Sequence, residues 1–500
     1  MLTTTNYNEA YRPQFHYSPP SQWLNDPNGM LFYEGEYHLF YQYHPESNVW
    51  GPMHWGHAVS TDLVSWKHLP IALKPDHNGF IFSGSAVVDW KDSSGFFEGG
   101  SGLVAIFTHE DTNPETGVSR QRQSLAYSRD RGRTWTMYKG NPVLEDARFI
   151  DYRDPKVFWD EPRQRWAMLL VAGDRVMIYS SPNLSDWTLC SEFGEREGSH
   201  AGVWECPDLF ELPVDGNKEQ SKWVLIVSIG DHPDVPEGSR TQYFIGSFDG
   251  TQFVNDHSPD TLLWLDHGRD NYAGVTWSDV PAQDGRRLLI GWMTNWKYAK
   301  STPTEVWRGS MTIPRVLELK ATNEGIRLIQ KPINELKALR EPIYELHNKN
   351  IQTGMNPLQE IRGDSLEIEA EIELRDAVEF GFKVRVSDKE ATIIGFDAEK
   401  EALFIDRSHS GVTDSIHEHF SCRHDAGLKP VNNRIKVHIY VDWSSIEVFA
   451  NEGEVVMTDL IFPDPGSGGL EFYSRGGNVK INSLCVYSLR TIWRAAYRRG

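Results

Sequence analysis

A repeated unit of paired strands constrains the fold of this chain more than any other feature of its sequence. The unit is a turn followed by two apolar strands that a polar loop joins, as in R-D-P-K-V-F-W-D-E-P-R-Q-R-W-A-M-L-L-V-A. The first strands of five units start 58, 70, 51 and 68 residues apart, near Asp26, Gly84, Asp154, Glu205 and Ala273. Units of this length with four strands each are typical of a five-bladed β-propeller; the alternative is an array of β-sandwiches with coincidental spacing.

A second repeat and the composition agree with an all-β fold. A short polar segment containing serine runs into an aromatic residue four times, at Trp66, Trp135, Trp187 and Phe253. Aromatic residues, which favour strands, make up 12% of the chain, and its 41 glycines and 27 prolines indicate many turns. Because 500 residues exceed what one hydrophobic core usually serves, we expect at least two domains.

The pattern changes near residue 335, which predicts a domain boundary there. Residues 329–340 read as a short segment compatible with a helix, and L-E-I-E-A-E-I-E-L then alternates apolar and acidic residues, as a half-buried strand does. Residues 434–454 read as a hairpin. We therefore predict a five-bladed β-propeller followed by a C-terminal β-sandwich. The predicted parts are a catalytic propeller over 1–335, a linker over 336–355, a sandwich over 356–492 and a basic tail over 493–500.

The charge of the chain excludes several classes of partner. A formal net charge of −20 argues against nucleic acid and anionic membrane surfaces, and it suits a neutral substrate. No run of 18 apolar residues could span a bilayer, and the first residues show neither the basic start nor the apolar core of a secretory signal. A cytoplasmic location is the simplest interpretation, or secretion if a leader has been removed. Four cysteines do not resemble a disulfide framework.

Three of the five first strands carry an acid where they begin. The first strands of a propeller line its central channel, so Asp26, Asp154 and Glu205 are expected to converge at one end. An aspartate in an x-D-P turn often only caps its own backbone, and this is the structural interpretation of each acid alone. Three converging carboxylates repel each other, which destabilises a fold and indicates a function. Glycoside hydrolysis uses such carboxylates, because one attacks the sugar while another donates a proton.

Six motifs along the chain resemble, in order, those of glycoside hydrolase family 32. They are W-L-N-D-P-N-G, W-G-P-M-H-W-G-H, F-S-G-S-A, F-I-D-Y-R-D-P-K-V, G-V-W-E-C-P-D-L-F and W-R-G-S-M-T-I-P-R. The resemblance runs from about His16 to Arg315 and resumes at V-D-W-S-S-I-E-V-F-A-N. That family contains invertases, levanases and exo-inulinases. Its fold, a five-bladed propeller followed by a β-sandwich, is the one that the repeat predicts.

The resemblance also implies the roles of individual residues. Asp26 would be the nucleophile, Glu205 the general acid/base and Asp154 the stabiliser of the transition state. Backbone N–H groups of the N-D-P-N-G turn would keep Asp26 ionised. A pocket for one terminal fructosyl unit would be closed by Trp292 or Trp296. Its other residues would be Asn25, Gln42, Trp50, Phe82, Ser83, Arg153 and Tyr272.

Within the family, the closest resemblance is to exo-acting hydrolases of fructans. It implies release of fructose, with retention of configuration, from the ends of β-2,6 or β-2,1 fructans, from fructo-oligosaccharides and from sucrose. The alternatives are an intracellular invertase, a sucrose-6-phosphate hydrolase, a fructosyltransferase, a levan biohydrolase and a non-catalytic fructan-binding protein. We assign the second domain a packing role or a homodimer contact rather than sugar binding.

We expect neither a cofactor nor a metal site. His54 and His57 lie three residues apart in an extended segment, where this spacing points the two side chains to opposite faces. They are therefore interpreted as hydrogen-bonded core histidines. Cys206, next to Glu205, is interpreted as a small buried filler rather than a nucleophile, because no basic residue lies beside it in the sequence.

Overall fold

The structure is a computed structural model that describes residues 7–413 and 415–493. All but one residue of the basic tail predicted over 493–500 lie outside the described residues. The described part contains 33 strands and three short 3-10 helices, which are Glu161–Arg163, Ala299–Ser301 and Asn334–Leu339. The chain is thus nearly all β.

Five antiparallel blades surround a central channel. Blade 1 contains β1 (Gln22–Tyr33), β2 (Glu36–His44), β3 (His54–Ser60) and β4 (Lys67–Leu73). Blade 2 contains β5 (Phe80–Asp89), β6 (Gly102–Thr112), β7 (Ser119–Ser128), β8 (Thr136–Met137) and β9 (Leu144–Glu145). Blade 3 contains β10 (Tyr152–Asp160), β11 (Arg165–Ala172), β12 (Arg175–Ser181) and β13 (Thr188–Phe193). Blade 4 contains β14 (Trp204–Val214), β15 (Asn217–Ile229), β16 (Arg240–Phe248) and β17 (Phe253–Asn255). The segment of blade 5 contains β18 (Tyr272–Thr276), β19 (Arg287–Trp292), β20 (Trp307–Arg308), β21 (Arg315–Thr322) and β22 (Gly325–Pro332).

Both sequence repeats mark real boundaries in these blades. The five predicted strand starts fall in β1, β5, β10, β14 and β18, which are the first strands of the five blades. The four repeated aromatic residues stand where the outer strands β4, β8, β13 and β17 begin. The ring closes where β20 pairs in parallel with the start of β1, through Gln22 opposite Trp307 and Trp23 opposite Arg308. The five-bladed propeller predicted from the spacing is confirmed.

The continuous apolar run of β11 shows how neighbouring blades share a core. Alternate side chains of a strand point to opposite faces, and both faces of a central blade are covered. Met168 and Leu170 pack with Leu125 of blade 2, whereas Leu169 packs with Leu225 of blade 4. A run without polar alternation is therefore what a strand buried between two blades requires.

The second domain is a β-sandwich of two antiparallel sheets around one apolar core. Its strands are β23 (Arg340–Ile351), β24 (Leu366–Leu374), β25 (Glu379–Val386), β26 (Thr392–Asp397), β27 (Ala402–Asp406), β28 (Arg423–Gly427), β29 (Arg434–Val441), β30 (Ser445–Ala450), β31 (Val455–Leu460), β32 (Gly469–Arg475) and β33 (Val479–Leu489). One sheet has the order β23-β33-β24-β29-β30-β31 and the other β28-β27-β26-β25-β32. The alternation in β24 places Ile368 and Ile372 in the core, as predicted. The predicted hairpin is the pair β29 and β30.

The segment predicted as a linker, residues 336–355, differs from that expectation. Arg340–Ile351 forms strand β23, which pairs along most of its length with β33 at the edge of the larger sheet. Most of its side chains are exposed, and several of them, such as Glu341 and Lys349, are charged. Edge strands commonly carry such polar residues, which hide the apolar alternation by which a strand is recognised in sequence.

Buried ion pairs join the propeller to the sandwich. The Arg315 guanidinium, which is fully buried, donates hydrogen bonds to Asp266 Oδ2 at 3.0 Å and to Glu447 Oε2 at 2.6 Å. The His16 ring lies 2.8 Å from Glu447 Oε1 and 2.7 Å from Asp442 Oδ2. We call these five residues the interdomain cluster. In a second contact of this kind, Arg407 of the sandwich pairs with Asp270 of the propeller at 2.6 Å.

Candidate active site

Each of the five first strands contains a β-bulge at an equivalent place, where two of its residues lie opposite one residue of the second strand. A bulge bends a strand and changes the direction of its side chains, which is why bulges occur beside active sites. The bulged pairs are Asn25 and Asp26, Phe82 and Ser83, Asp154 and Pro155, Cys206 and Pro207, and Ala273 and Gly274.

The prediction of a turn over N-D-P-N-G is therefore wrong, because a bulged strand is found there. The segment lies inside strand β1, which contains a second irregularity at Gly29, where φ is +54°. Asn, Asp, Pro and Gly tolerate a bulge for the same reasons that they tolerate a turn. The propensities of these residues therefore do not distinguish a turn from a bulge.

The three predicted catalytic acids occupy three successive positions around this bulge. Glu205 directly precedes its bulge, Asp154 is the first bulged residue of β10, and Asp26 is the second bulged residue of β1. Because the first strands line the channel side by side, the carboxylates converge from three blades. Asp154 and its neighbour Cys206 have φ values of +63° and +48°. Left-handed backbone at residues other than glycine stores strain, which clusters at functional sites.

Asp26 is held by a neighbour from blade 2. The Ser83 hydroxyl donates a hydrogen bond to Asp26 Oδ2 at 2.7 Å. Beside the bulge of β5, Gly84 permits the close approach of β5 to β6, since a Cβ atom at that position would lie 2.2 Å from the Ile106 carbonyl oxygen. Within the described part of the chain, Asp26 Oδ1 has no hydrogen-bond partner. Asp26 therefore presents one fixed oxygen and one unengaged oxygen.

Glu205 is oriented by two partners from other blades. Arg153 donates a hydrogen bond to Oε1 at 2.9 Å, and the Tyr272 hydroxyl donates one to Oε2. Arg153 is itself bound by Asp151 and by Gln121, whose Oε1 lies 3.2 Å away. Asp151 and Gln121 are the residues that sequence reasoning missed. Asp151 directly precedes β10, and its spacing of two residues from Arg153, which places both side chains on one face of an extended segment, was the available signal.

Cys206 joins the site as a contact rather than as a reactive group. Its sulfur lies 3.6 Å from Asp26 Oδ2 and 3.6 Å from Asp154 Oδ2, and its backbone N–H donates to Asp154 Oδ2 at 2.9 Å. Burial, and next the charges of Asp154 and Asp26, raise the pKa of the Cys206 thiol well above its ordinary value. The side chain therefore stays a neutral thiol between two carboxylates, in agreement with its interpretation as a buried filler.

The electrostatics of the site follow from burial and from the proximity of like charges. Burial and then the Glu205 carboxylate raise the pKa of Asp26 to about 6, which the hydrogen bond from Ser83 partly offsets. The expected backbone N–H groups contribute less than the Ser83 hydroxyl. Burial also raises the pKa of Asp154, while Arg153 acts in the opposite direction. Burial opposes the charge of Arg153, but Glu205 and Asp154 raise its pKa above the ordinary value.

The other predicted pocket residues differ in how open they are. Asn25 and Gln42 are buried. The Asn25 side-chain oxygen accepts a hydrogen bond from Trp23 Nε1 at 2.8 Å, and the Gln42 amide donates one to Asn28 Oδ1 at 2.8 Å. Trp50 is 38% exposed and lies edge-on to Phe82, with ring centroids 5.7 Å apart.

Of the two tryptophans predicted to close the pocket, only one is open. Trp292 is 1% exposed beneath Trp296, with 4.7 Å between ring centroids. Trp296 is half-buried and stacks on Trp23. Trp296 is therefore the better placed of the two to contact a ligand.

Among the described residues, the one cluster of three side chains that could bind a metal lies away from this site. Glu367, Glu369 and His438 form a cluster in the sandwich, but the Arg340 guanidinium already donates to both carboxylates at 2.5 Å. His57 is buried and lies 3.0 Å from His38 Nδ1, and His54 Nδ1 lies 3.1 Å from the Pro52 carbonyl oxygen. Both histidines thus have hydrogen-bond partners, as predicted. The four cysteines are free thiols.

Comparison with known proteins identifies the family. The family model "Glycosyl hydrolases family 32 N-terminal domain" matches residues 16–332, and "Glycosyl hydrolases family 32 C terminal" matches residues 335–488. A levanase of Bacillus subtilis is 53% identical over 97% of this chain and 72% of its own length. An extracellular exo-inulinase of Aspergillus awamori is 37% identical over 98% of this chain and 96% of its own length. The crystal structure of exo-inulinase from Aspergillus awamori superposes with a TM-score of 0.90 at 36% identity, covering 98% of this chain and 100% of that one. The chain therefore belongs to glycosyl hydrolase family 32.

Proposed function

We propose that this protein is a retaining, exo-acting β-fructofuranosidase that releases terminal fructose from levan- and inulin-type fructans, fructo-oligosaccharides and sucrose. The observation that carries the proposal is the convergence of Asp26, Asp154 and Glu205 from three blades at one end of the channel. The levanase and exo-inulinase relatives support a fructan as the substrate.

The proposed mechanism has two displacements. Asp26 attacks the anomeric C2 of a terminal β-D-fructofuranosyl unit, and the C2–O bond to the leaving group breaks as Glu205 protonates that oxygen. Glu205 then takes a proton from water, which attacks C2 and releases Asp26. The unengaged Oδ1 of Asp26 suits the attack. The hydrogen bonds from Arg153 and Tyr272 suit the fixed position that a group serving as acid and then base needs.

Asp154 forms no covalent bond in this scheme. Its carboxylate is fixed by the Cys206 N–H and lies beside Asp26, where it can accept hydrogen bonds from fructose hydroxyls and offset the positive charge that develops at C2. Asp154→Ala should therefore lower kcat far more than it raises KM. A variant with unchanged kcat and weaker binding would assign Asp154 to recognition only.

The alternatives have less support. A sucrose-6-phosphate hydrolase needs a cation free to bind phosphate, whereas Arg153 is engaged by Asp151 and Glu205. A non-catalytic fructan-binding protein has no need for three carboxylates in one channel, since their repulsion destabilises the fold. A fructosyltransferase would use the same covalent intermediate, and the ratio of transfer to hydrolysis at high sucrose concentration separates it from a hydrolase.

The test is to incubate the protein with sucrose, inulin and levan and to identify the earliest products. Fructose as the only early product is expected. A ladder of oligosaccharides would indicate internal cleavage, and disaccharide steps would indicate a biohydrolase; either would contradict exo-release of fructose. The Asp26→Asn protein is the control for contaminating activity.

The predicted location and assembly remain predictions. Of the described helices, none is long and apolar enough to cross a membrane. The Aspergillus awamori relative is named extracellular, which favours secretion over the predicted cytoplasmic location. Fractionation of producing cells tests the location. Light scattering after gel filtration tests the predicted homodimer, which a monomer mass would refute.

A further inference from the structure

A second concavity lies at the other end of the propeller channel. It has a volume of about 800 Å³ and is lined by later residues of β5, β10 and β14, the first strands of blades 2 to 4, and by Ser278 and Asp279, which follow β18 of blade 5. In β14, for example, Glu205 belongs to the catalytic end whereas Asp208, Phe210 and Glu211 line this concavity. At roughly 3.3 Å per residue, three to six residues of strand separate the two ends by about 10–20 Å. The channel between them is nearly filled, with a cavity of only about 20 Å³. We call this concavity the distal pocket.

Aromatic side chains form much of the wall of the distal pocket. Trp90 is 58% exposed, which makes it unusual among the large apolar residues of the chain. Its indole N–H donates a hydrogen bond to Asp279 Oδ1 at 2.9 Å, so the exposed ring is held in one orientation. Trp159 and Trp223 also line the pocket, and the Lys91 ammonium lies 4.8 Å from the centre of the Trp159 ring. A fixed, exposed aromatic face suits stacking of a ligand.

The floor of the distal pocket contains an acceptor without a partner. Asp208 is fully buried; its Oδ2 accepts from the Thr276 N–H at 2.6 Å and lies 3.2 Å from Lys156 Nζ. Its Oδ1 has no hydrogen-bond partner among the described residues. Buried polar atoms are nearly always satisfied, so an orphan that lines a cavity indicates a missing donor such as a hydroxyl group.

The charge of the distal pocket disfavours an anionic ligand. Six acids and four bases line it, and several of the bases are engaged, as Lys156 is by Asp208 and Arg163 by Asp160. The volume lies within the range of small-molecule sites, which combine aromatic walls with a few polar groups. Fixed aromatic faces together with carboxylate acceptors match a neutral polyol.

We propose that the distal pocket binds a short run of fructosyl units of the polymeric substrate. This inference rests on the proposed function, because the polymer that the catalytic end trims is the neutral polyol that this protein encounters. Each fructan chain offers few ends to the catalytic pocket but many internal units to a second site. Stacking on Trp90 and a hydrogen bond to Asp208 would hold those internal units. Binding there keeps the polymer attached while its ends are sampled.

The experiment uses the Asp26→Asn protein, which can bind fructan without consuming it. Isothermal titration with an inulin-type trisaccharide is expected to show two sites per chain, and native gels containing levan are expected to retard the protein. Trp90→Ala in this background should remove one site and weaken retention about tenfold, as expected for loss of a stacked aromatic group. Trp90→Phe keeps a ring without the N–H group and should retain most of the binding.

The matched control is Trp187→Ala. Trp187 is half-buried, donates through its indole N–H to the Leu184 carbonyl oxygen at 2.8 Å, and lies outside the distal pocket. Its replacement should leave both sites intact, while a gel containing dextran reports non-specific retention. The inference would be overturned if the titration showed only one trisaccharide site in the Asp26→Asn protein. Equal binding of fructan by the Trp90→Ala and Trp187→Ala variants would also overturn it.

A second measurement separates this inference from the proposed function. With Asp26 intact, Trp90→Ala should raise KM for levan several-fold and leave kcat/KM for sucrose unchanged, since sucrose needs only the catalytic pocket. An unchanged KM for levan would refute fructan binding in the distal pocket and leave the proposed function standing. If the unmodified protein releases no fructose from levan, the proposed function fails, and the binding measurements then judge the distal pocket independently.

Discussion

Two groups of buried carboxylates, one at the channel end and one between the domains, differ in how their charge is balanced. At the channel end, Arg153 pairs with Glu205 and lies 4.0 Å from Asp154, and no cation of the described residues forms an ion pair with Asp26. In the interdomain cluster, three carboxylates meet the Arg315 guanidinium and the His16 ring. The two groups contain the same number of acids, and the interdomain cluster has one more potential cation, the His16 ring.

The pKa values of Asp26 in the first group and of Glu447 in the second move in opposite directions. Burial and the neighbouring carboxylate raise the pKa of Asp26 to about 6. Burial alone would do the same to Glu447, but Arg315 and His16 overcome it and lower the pKa of Glu447. Burial opposes protonation of His16, yet its hydrogen bonds to Asp442 and Glu447 raise its pKa to about 9. A balanced cluster stabilises the fold, whereas an unbalanced one is a cost that catalysis explains.

The largest expected effect is on catalysis. Asp26→Asn removes the nucleophile and should lower kcat by about 10⁴-fold or more, because no other group can form the covalent intermediate. Initial rates on sucrose measure the effect. Asp174→Asn, at an acid that is half exposed and outside the channel, is the control and should keep full activity. Activity of Asp26→Asn within tenfold of the unmodified protein would contradict the assignment.

The next largest effect is on the interdomain cluster. Arg315→Ala leaves Glu447 and Asp266 as buried charges with fewer partners, which should lower the free energy of unfolding by about 3–5 kcal/mol. Urea unfolding followed by tryptophan fluorescence measures the change. Lys331→Ala is the control, since the Lys331–Glu318 pair is exposed and should contribute at most about 1 kcal/mol. Equal losses of unfolding free energy in the two variants would show that the buried cluster contributes no more to stability than an exposed ion pair.

A smaller effect of opposite sign is expected at the catalytic acid. An acid whose pKa is raised by folding destabilises the fold at every pH above its unfolded value, fully so above the folded one. Asp26→Asn removes that penalty and should raise the free energy of unfolding at pH 7 by about 1–3 kcal/mol. Glu447→Gln should lower it. If both variants are destabilised, the contrast between the two groups fails.

The smallest effect is on the pH dependence of activity. The nucleophile must be ionised, so kcat/KM should fall as the pH drops through about 6, the pKa of Asp26. Ser83→Ala removes the hydroxyl that stabilises the charged form and should move this acid limb up by about one pH unit. Cys190→Ala, a change of similar size outside the channel, should leave the limb in place. A limb that moves down in Ser83→Ala would contradict the role of the hydrogen bond.

Much of the fold was predictable because a propeller repeats its strand order. Strand starts and the aromatic residue where each outer strand of blades 1 to 4 begins recur in the sequence, and the three acids occupy repeated positions at the strand starts. The bulges were not predictable, since a two-against-one pairing depends on a partner strand distant in sequence. Strand β23 was hidden by its polar edge, and the distal pocket could not be predicted because residues of four blades line it.

The central claim, that Asp26 forms a covalent fructosyl intermediate with Glu205 serving the leaving group, has a direct test in the stereochemistry of the product. With methanol as a competing acceptor, proton NMR of the sucrose reaction should show methyl β-D-fructofuranoside from the first minutes, because two displacements retain the configuration. Appearance of the α-anomer as the initial product would mean a single displacement by water or alcohol, and the assignment of Asp26 as nucleophile would be wrong.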